Sequence, residues 1–142
     1  MHRFALIVVG LVGSTLLSAC ETGSVSWAPP ADCATQPAGT PCVAEIRLRP
    51  GSTGQVTLAL EATGSMAGTF NVTATASRAD RFTATVAPAA IQARDGASAT
   101  TTVTVQAASS AIASDDGTIV VEAMNAVGGF SKTTVRARIE SD

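Results

Sequence analysis

Thr100-Thr101-Thr102-Val103-Thr104-Val105-Gln106-Ala107 is the stretch on which the fold turns. Thr101, Val103, Val105 and Ala107 fall on one side of an extended chain, and Thr100, Thr102, Thr104 and Gln106 on the other. All six residues before Gln106 and Ala107 are threonine or valine, types whose branched Cβ fits a pleated surface better than a helix. Alternation at every second position gives one face to water and one to a core, the pattern of an antiparallel sheet wet on one side.

The same period spreads outward in both directions. Upstream, Ile46 and Leu48 alternate with Arg47 and Arg49 before a Pro50-Gly51-Ser52 turn; Val56, Leu58 and Leu60 alternate with Thr57, Ala59 and Glu61. Phe70, Val72, Ala74 and Ala76 follow the Gly64-to-Gly68 loop, and then Phe82, Ala84 and Val86, closed by Pro88. Downstream, Ile119, Val121 and Ala123 come after the Asp115-Asp116-Gly117 turn, and Val135, Ala137 and Ile139 after Gly128-Gly129. Seven strands separated by Gly, Pro, Asp and Ser predict an all-β, seven-stranded antiparallel sandwich over residues 43–140. Ala89 to Ala93 and Ala107 to Ala113 have helical propensity, but both are short and flanked by breakers, so they read as loops or single turns. Phe residues are few, so the core is expected to be thin and built of Val, Ile, Leu and Ala, with the mature Phe residues claimed by it.

The succession Ile46-Arg47-Leu48-Arg49-Pro50-Gly51, Gln55-Val56-Thr57-Leu58, then Gly117-Thr118-Ile119-Val120-Val121 and Thr134-Val135-Arg136-Ala137 resembles the Ig-like and fibronectin-type-III-like modules of bacterial envelope proteins. The resemblance implies an Ig-like sandwich. The Cys…Trp…Cys core of antibody domains is missing, because Cys33 and Cys42 precede the strands.

The amino terminus carries a different kind of information. Met1-His2-Arg3 is followed by an apolar run from Phe4 to Leu17 interrupted by Gly10, Gly13, Ser14 and Thr15. Spanning a bilayer takes about 20 apolar residues, more than this run supplies. A charged start, a short apolar run and small residues before a cut describe an export signal over residues 1–19. Leu17-Ser18-Ala19-Cys20 resembles the lipobox of bacterial lipoproteins. That resemblance implies cleavage before Cys20, a diacylglyceryl group on its thiol and attachment to a membrane through that lipid. Each buried CH₂ contributes about 0.8 kcal/mol, so two or three acyl chains hold firmly where one does not. The competing readings are an ordinary cleaved signal with an incidental cysteine and an uncleaved anchor. In Gram-negative lipoproteins a residue other than Asp after the lipidated cysteine, here Glu21, leans toward the outer membrane.

Residues 20–42 read as a lipidated start and a Ser/Gly/Pro-rich tether, stiffened at Pro29-Pro30. Its large apolar residue, Trp27, is expected to pack on the domain. In an exported protein the remaining pair, Cys33 and Cys42, reads as a disulfide. Closing a ring of that size contributes up to about 2.7 kcal/mol by loop entropy. A metal or redox site lacks partners: no third cysteine lies nearby and the single histidine, His2, leaves with the signal.

Once residues 1–19 are removed, the chain has neither His nor Tyr and a net charge near −3. Mild acidity with so few basic residues does not fit nucleic acid, which needs clustered Lys and Arg against phosphate. Most nucleophilic and acid–base schemes lose a member. Ser131 and Lys132 are adjacent and would point to opposite faces of a strand. Asp115-Asp116-Gly117 and Asp95-Gly96 read as turns in preference to calcium loops. No catalytic residue, cofactor, metal or small-molecule substrate is therefore assigned. Arg47, Arg49, Arg136 and Arg138 point outward if their apolar neighbours point in. They form a candidate face for an envelope protein partner, set against the plainer reading of a solvated surface neutralised by Glu45, Glu122 and Glu140. Mass spectrometry of the mature N-terminal peptide should find acyl chains on Cys20; an unmodified thiol there on a secreted protein would refute the anchor.

Overall fold

The computed structural model describes residues 23–31, 33, 36–37 and 42–141. The expected export signal over residues 1–19, with its cut before Cys20, lies outside the described residues. Among those described, no helix is long and apolar enough to cross a membrane.

The chain folds into two stacked β-sheets. Its strands are β1 (Val25–Trp27), β2 (Ala44–Leu48), β3 (Thr53–Ala62), β4 (Gly68–Ala76), β5 (Phe82–Ala87), β6 (Ala90–Ala93), β7 (Ala99–Ala107), β8 (Asp116–Asn125) and β9 (Phe130–Ile139). One sheet has the order β1-β3-β7-β5 and the other β2-β9-β8-β4-β6. The seven expected strands are all present, and the alternation read from them matches their burial. On β7, Thr101, Val103, Val105 and Ala107 are buried while Thr100 and Gln106 are exposed. Buried Thr101 donates its hydroxyl to the Pro88 carbonyl at 2.8 Å, so the one hydroxyl on that inner face is satisfied.

Two strands go beyond the sequence reading, giving nine instead of seven among the described residues. Val25–Trp27, expected within the tether, pairs antiparallel with the end of β3, Trp27 opposite Leu60. Three residues are too few to reveal a period; what holds them is Val25 and Trp27 packing against the core. Trp27 also donates its indole N–H to the Ser131 carbonyl at 3.3 Å, linking the two sheets as well as filling space. Ala90–Ala93, expected as a loop or single turn, pairs with Gly68–Asn71 of β4 and buries Ile91 and Ala93. Here edge pairing overrides the helical preference of alanine.

The sandwich is also not wholly antiparallel. β2 runs parallel to β9, Ala44 beside Val135 through Leu48 beside Ile139. The sheet is thus closed by its earliest strand lying alongside the last. A parallel pair needs a long connection, and everything between Leu48 and Phe130 supplies it.

The core contains Leu58, Leu60, Val103, Val105, Ile119, Val121, Val135 and Ile139 with many alanines, plus Phe70 and Phe82. The expectation that all the Phe residues are internal fails at Phe130, which is 49% exposed. It begins β9 opposite Met124, on the outward side. The thinness of the core shows in its glycines. A Cβ on Gly54 would lie 2.5 Å from Ile46 Cγ2 and 2.9 Å from Leu48 Cδ2, and one on Gly117 would lie 2.8 Å from Phe82 Cδ2. Each glycine belongs to one sheet and its neighbour to the other, so these positions let the layers close.

Gly51 has a different role. Ser52 N–H bonds to the Arg49 carbonyl at 3.0 Å, and Gly51 holds φ at 74°, the left-handed position that a Pro-Gly turn of this kind demands. Cys33 and Cys42 are joined in a disulfide with Cα atoms 5.7 Å apart. It closes the excursion that carries the chain from β1 on one sheet to β2 on the other.

Leu60→Ala, at a fully buried site, should lower unfolding free energy by about 2–5 kcal/mol. Gly54→Ala should lower it by about 1–3 kcal/mol through overpacking. Urea denaturation midpoints read both; a neutral Gly54→Ala would mean that the sheets have slack there.

Candidate functional site

The parallel pairing of β2 with β9 determines what the arginines can do. In register, Glu45 faces Arg136 and Arg47 faces Arg138; on the other flank of β9, Thr118 faces Arg136 and Asp116 faces Arg138. Ala44, Ile46, Leu48, Val135, Ala137 and Ile139 are buried, so the intervening charged residues all project outward from the same sheet. The structure therefore brings Arg47, Arg136 and Arg138 onto one face. Arg49 lies in the turn beyond the end of β2.

Carboxylates interleave this face. Arg47 donates Nε to Glu45 Oε1 at 2.9 Å and Nη1 to Glu140 Oε1 at 3.1 Å. The hydrogen bond to Glu45 and the negative charge of Glu140 hold its guanidinium above the ordinary arginine range. Arg136 Nη2 donates to Asp116 Oδ2 at 3.1 Å. Exposed pairs of this kind add little to stability, because water screens them. They do order the guanidinium planes and leave mixed charge on the face. Glu122, counted among the neutralising residues, lies further along the sheet opposite Lys132.

The outer faces differ in kind. Within the strands of the β1-β3-β7-β5 sheet the one charged residue is Glu61, and Gln55, Thr57, Thr102 and Thr104 form a neutral hydroxyl and amide surface. Gln55 Nε2 donates to Thr104 Oγ1 at 3.2 Å, and the Thr57 and Thr102 hydroxyls meet at 3.4 Å. Charge is thus concentrated on the β2–β9–β8 side, and β2 is also a sheet edge. A partner strand laid along β2 would meet arginines and carboxylates at once.

A second cluster escaped the sequence reading. At the end of the sandwich where β4 turns into β5 and β7 into β8, Asp115 joins the two loops and the end of β9. Its Oδ2 accepts the Ile112 N–H at 3.0 Å and its Oδ1 accepts Arg78 Nη1 at 3.3 Å. Arg81 Nε, buried and without a well-directed hydrogen bond, lies 3.6 Å from Asp115 Oδ2 and 3.3 Å from Asp80 Oδ2. Arg81 Nη1 meanwhile donates to the Ser110 carbonyl at 2.6 Å. The backbone of Asp115 accepts the Ile139 N–H at 2.8 Å, fixing the end of β9 as well. The turn reading of Asp115-Asp116-Gly117 missed this role. An Asp followed by strand says nothing about which arginines the fold delivers to it. Asp95-Gly96 does form a tight turn, bridged by Arg94 and Ala97, with Gly96 at φ 77°.

Ser131 and Lys132 both lie on β9, an extended strand, and face opposite ways. Among the described residues, no group of three or more Cys, His, Asp or Glu is arranged to hold a metal ion.

The Ile112 hydrogen bond, followed by the Arg81 and Arg78 charges, lowers the Asp115 pKa despite some desolvation. A carboxyl with a depressed folded-state pKa contributes its stability above the ordinary value of about 4, and that contribution disappears as pH falls through the lower folded value. Asp115→Asn should therefore lower the melting temperature at pH 7, with the gap to wild type shrinking below pH about 4. Melting curves across that range check the sign; a gap that grows in acid would contradict it.

No family model matches this chain, and neither does any curated protein. Solved structures do. Domains 4 and 5 of the S-layer protein SbsC align at a TM-score of 0.50 and 17% identity over 69% of this chain and 48% of that one. A larger piece of the same protein, domains 1–6, aligns at 0.41 and 17% over 86% and 13%. The secreted serine protease VesC from Vibrio cholerae aligns at 0.41 and 11% over 67% and 21%. This chain spans about half the length of the SbsC two-domain structure. At such identities the likeness is one of fold alone: the chain is an all-β sandwich similar to an S-layer protein domain.

Proposed function

We propose that this chain is a lipoprotein of the bacterial cell envelope, anchored through acyl chains on Cys20, whose Ig-like sandwich is a non-catalytic binding or accessory module for a protein partner. Glu21 after the cysteine and the fold likeness to an S-layer domain both support an envelope position, with the outer membrane favoured in a Gram-negative cell. The observation that carries the binding role is the register of β2 against β9, which places Arg47, Arg136 and Arg138 on one outward face beside an open sheet edge. An extended partner segment carrying carboxylates would use the unpaired backbone groups of β2 for affinity and the guanidinium groups for register.

A purely structural envelope lipoprotein is the second reading. It draws on the ion pairs already made by Arg47 and Arg136 within the chain, since a face neutralised by its own carboxylates needs no partner.

Affinity isolation from detergent-solubilised envelope separates the two. A stoichiometric partner, retained at low salt and lost with the Arg47→Glu/Arg138→Glu variant, is the expected result. Clean isolation of the lipoprotein alone, or a partner indifferent to those reversals, would favour the structural reading.

A further inference from the structure

Three of the large apolar side chains that the fold leaves exposed, Met124 (54%), Val127 (65%) and Phe130 (49%), sit together at the β8–β9 hairpin. Met124 and Phe130 are cross-strand partners on the outward side, and Val127 occupies the turn between them. The turn is firmly built. Asn125 Oδ1 accepts the Val127 and Gly129 N–H groups at 3.2 and 2.6 Å, and its amide donates to the Met66 carbonyl at 2.9 Å. Residues Asn125–Gly129 carry no charge; the next outward pair along the hairpin is Glu122 opposite Lys132, and the other charged residues at this end, Glu61, Arg94 and Asp95, belong to β3 and the β6–β7 turn.

The path of the amino terminus ends at the same place. Gly23 packs so closely on the β3–β4 connection that a Cβ there would clash with the Thr63 carbonyl and with Met66. Ser24 accepts the Thr63 N–H through its carbonyl at 2.8 Å and bonds the Thr63 hydroxyl through its own backbone N–H at 3.0 Å. Contacts therefore run without a break from Gly23 through Met66 to Asn125 and Val127. Only Glu21 and Thr22 separate Cys20 from Gly23, which packs on the domain. Three peptide steps reach at most about 11 Å. β8, ten residues long, spans about 33 Å, which puts Ile112, exposed in the loop before it at the opposite end, far out of reach.

We infer that the β8–β9 hairpin end is a membrane-contact surface, on which Val127, Met124 and Phe130 rest against the bilayer that holds Cys20. The inference rests on the lipid anchor proposed above. An anchor this short confines the domain to a high local concentration at the lipid surface, where a small uncharged apolar patch suffices for contact. The domain would then stand upright, with the Asp115 cluster and the far ends of β2 and β9 directed away from the membrane.

The test uses the full acylated chain in phosphatidylethanolamine–phosphatidylglycerol vesicles containing nitroxide lipid, with an environment-sensitive fluorophore on a Val127→Cys or, as control, an Ile112→Cys variant. Quenching at position 127 at least twice that at 112 is expected. Met124→Ser/Phe130→Ser should cut that quenching while leaving flotation unchanged. Flotation and the mass of the N-terminal peptide read the anchor separately. Acylated, floating protein with equal, water-like signals at both positions overturns the contact surface alone. An unacylated, non-floating protein overturns the anchor and the contact surface with it.

Discussion

Contact between two layers of small aliphatic side chains is the interaction on which everything else in this molecule depends. Val103, Val105 and Ala107 of one sheet and Ile119, Val121, Val135 and Ala137 of the other are fully or almost fully buried. With so little aromatic bulk, the layers must approach closely, and Gly54 and Gly117 allow it where Ile46, Leu48 and Phe82 cross over. Burial of such groups contributes about 25 cal/mol per Å². Small side chains give up their area only when no gap remains, so the fold tolerates little change of volume at these crossings.

That tight closure also explains the edges. Trp27 covers one flank, donating across to Ser131 on the opposite sheet, and the Cys33–Cys42 link restrains the excursion from β1 to β2. The long-range pairing of β2 with β9 then completes the second sheet. Its outward side carries Glu45, Arg47, Arg136 and Arg138, while the strands of the other sheet carry Glu61 as their one charged residue. The candidate binding face is a consequence of sheet closure, not an addition to it.

The two ends of the sandwich are correspondingly different. One is drawn together by Asp115, whose carboxylate and backbone hold two connections and the end of β9 with arginine help. The other is held by Asn125 through neutral hydrogen bonds and leaves Met124, Val127 and Phe130 uncovered. An ionic end suits water, and a hairpin tip without charge of its own and with exposed apolar side chains suits an interface. The amino terminus enters at the second.

Hydrophobic alternation determined the all-β class, the seven longer strands and which side of each faces inward, because burial of every second side chain is written locally in the chain. Turn chemistry at Pro50-Gly51 and Asp95-Gly96 was legible for the same reason. The pairing of Cys33 with Cys42 followed from their number and the expected export of the chain. Tertiary structure decided what local pattern cannot carry. Val25–Trp27 and Ala90–Ala93 are strands only because a neighbouring edge and an apolar layer receive them. The parallel direction of β2 depends on a partner some ninety positions away in the chain. The exposure of Phe130 and the clamp at Asp115 depend on which segments the packed sheets bring within a few ångströms, and no short window of sequence contains that distance.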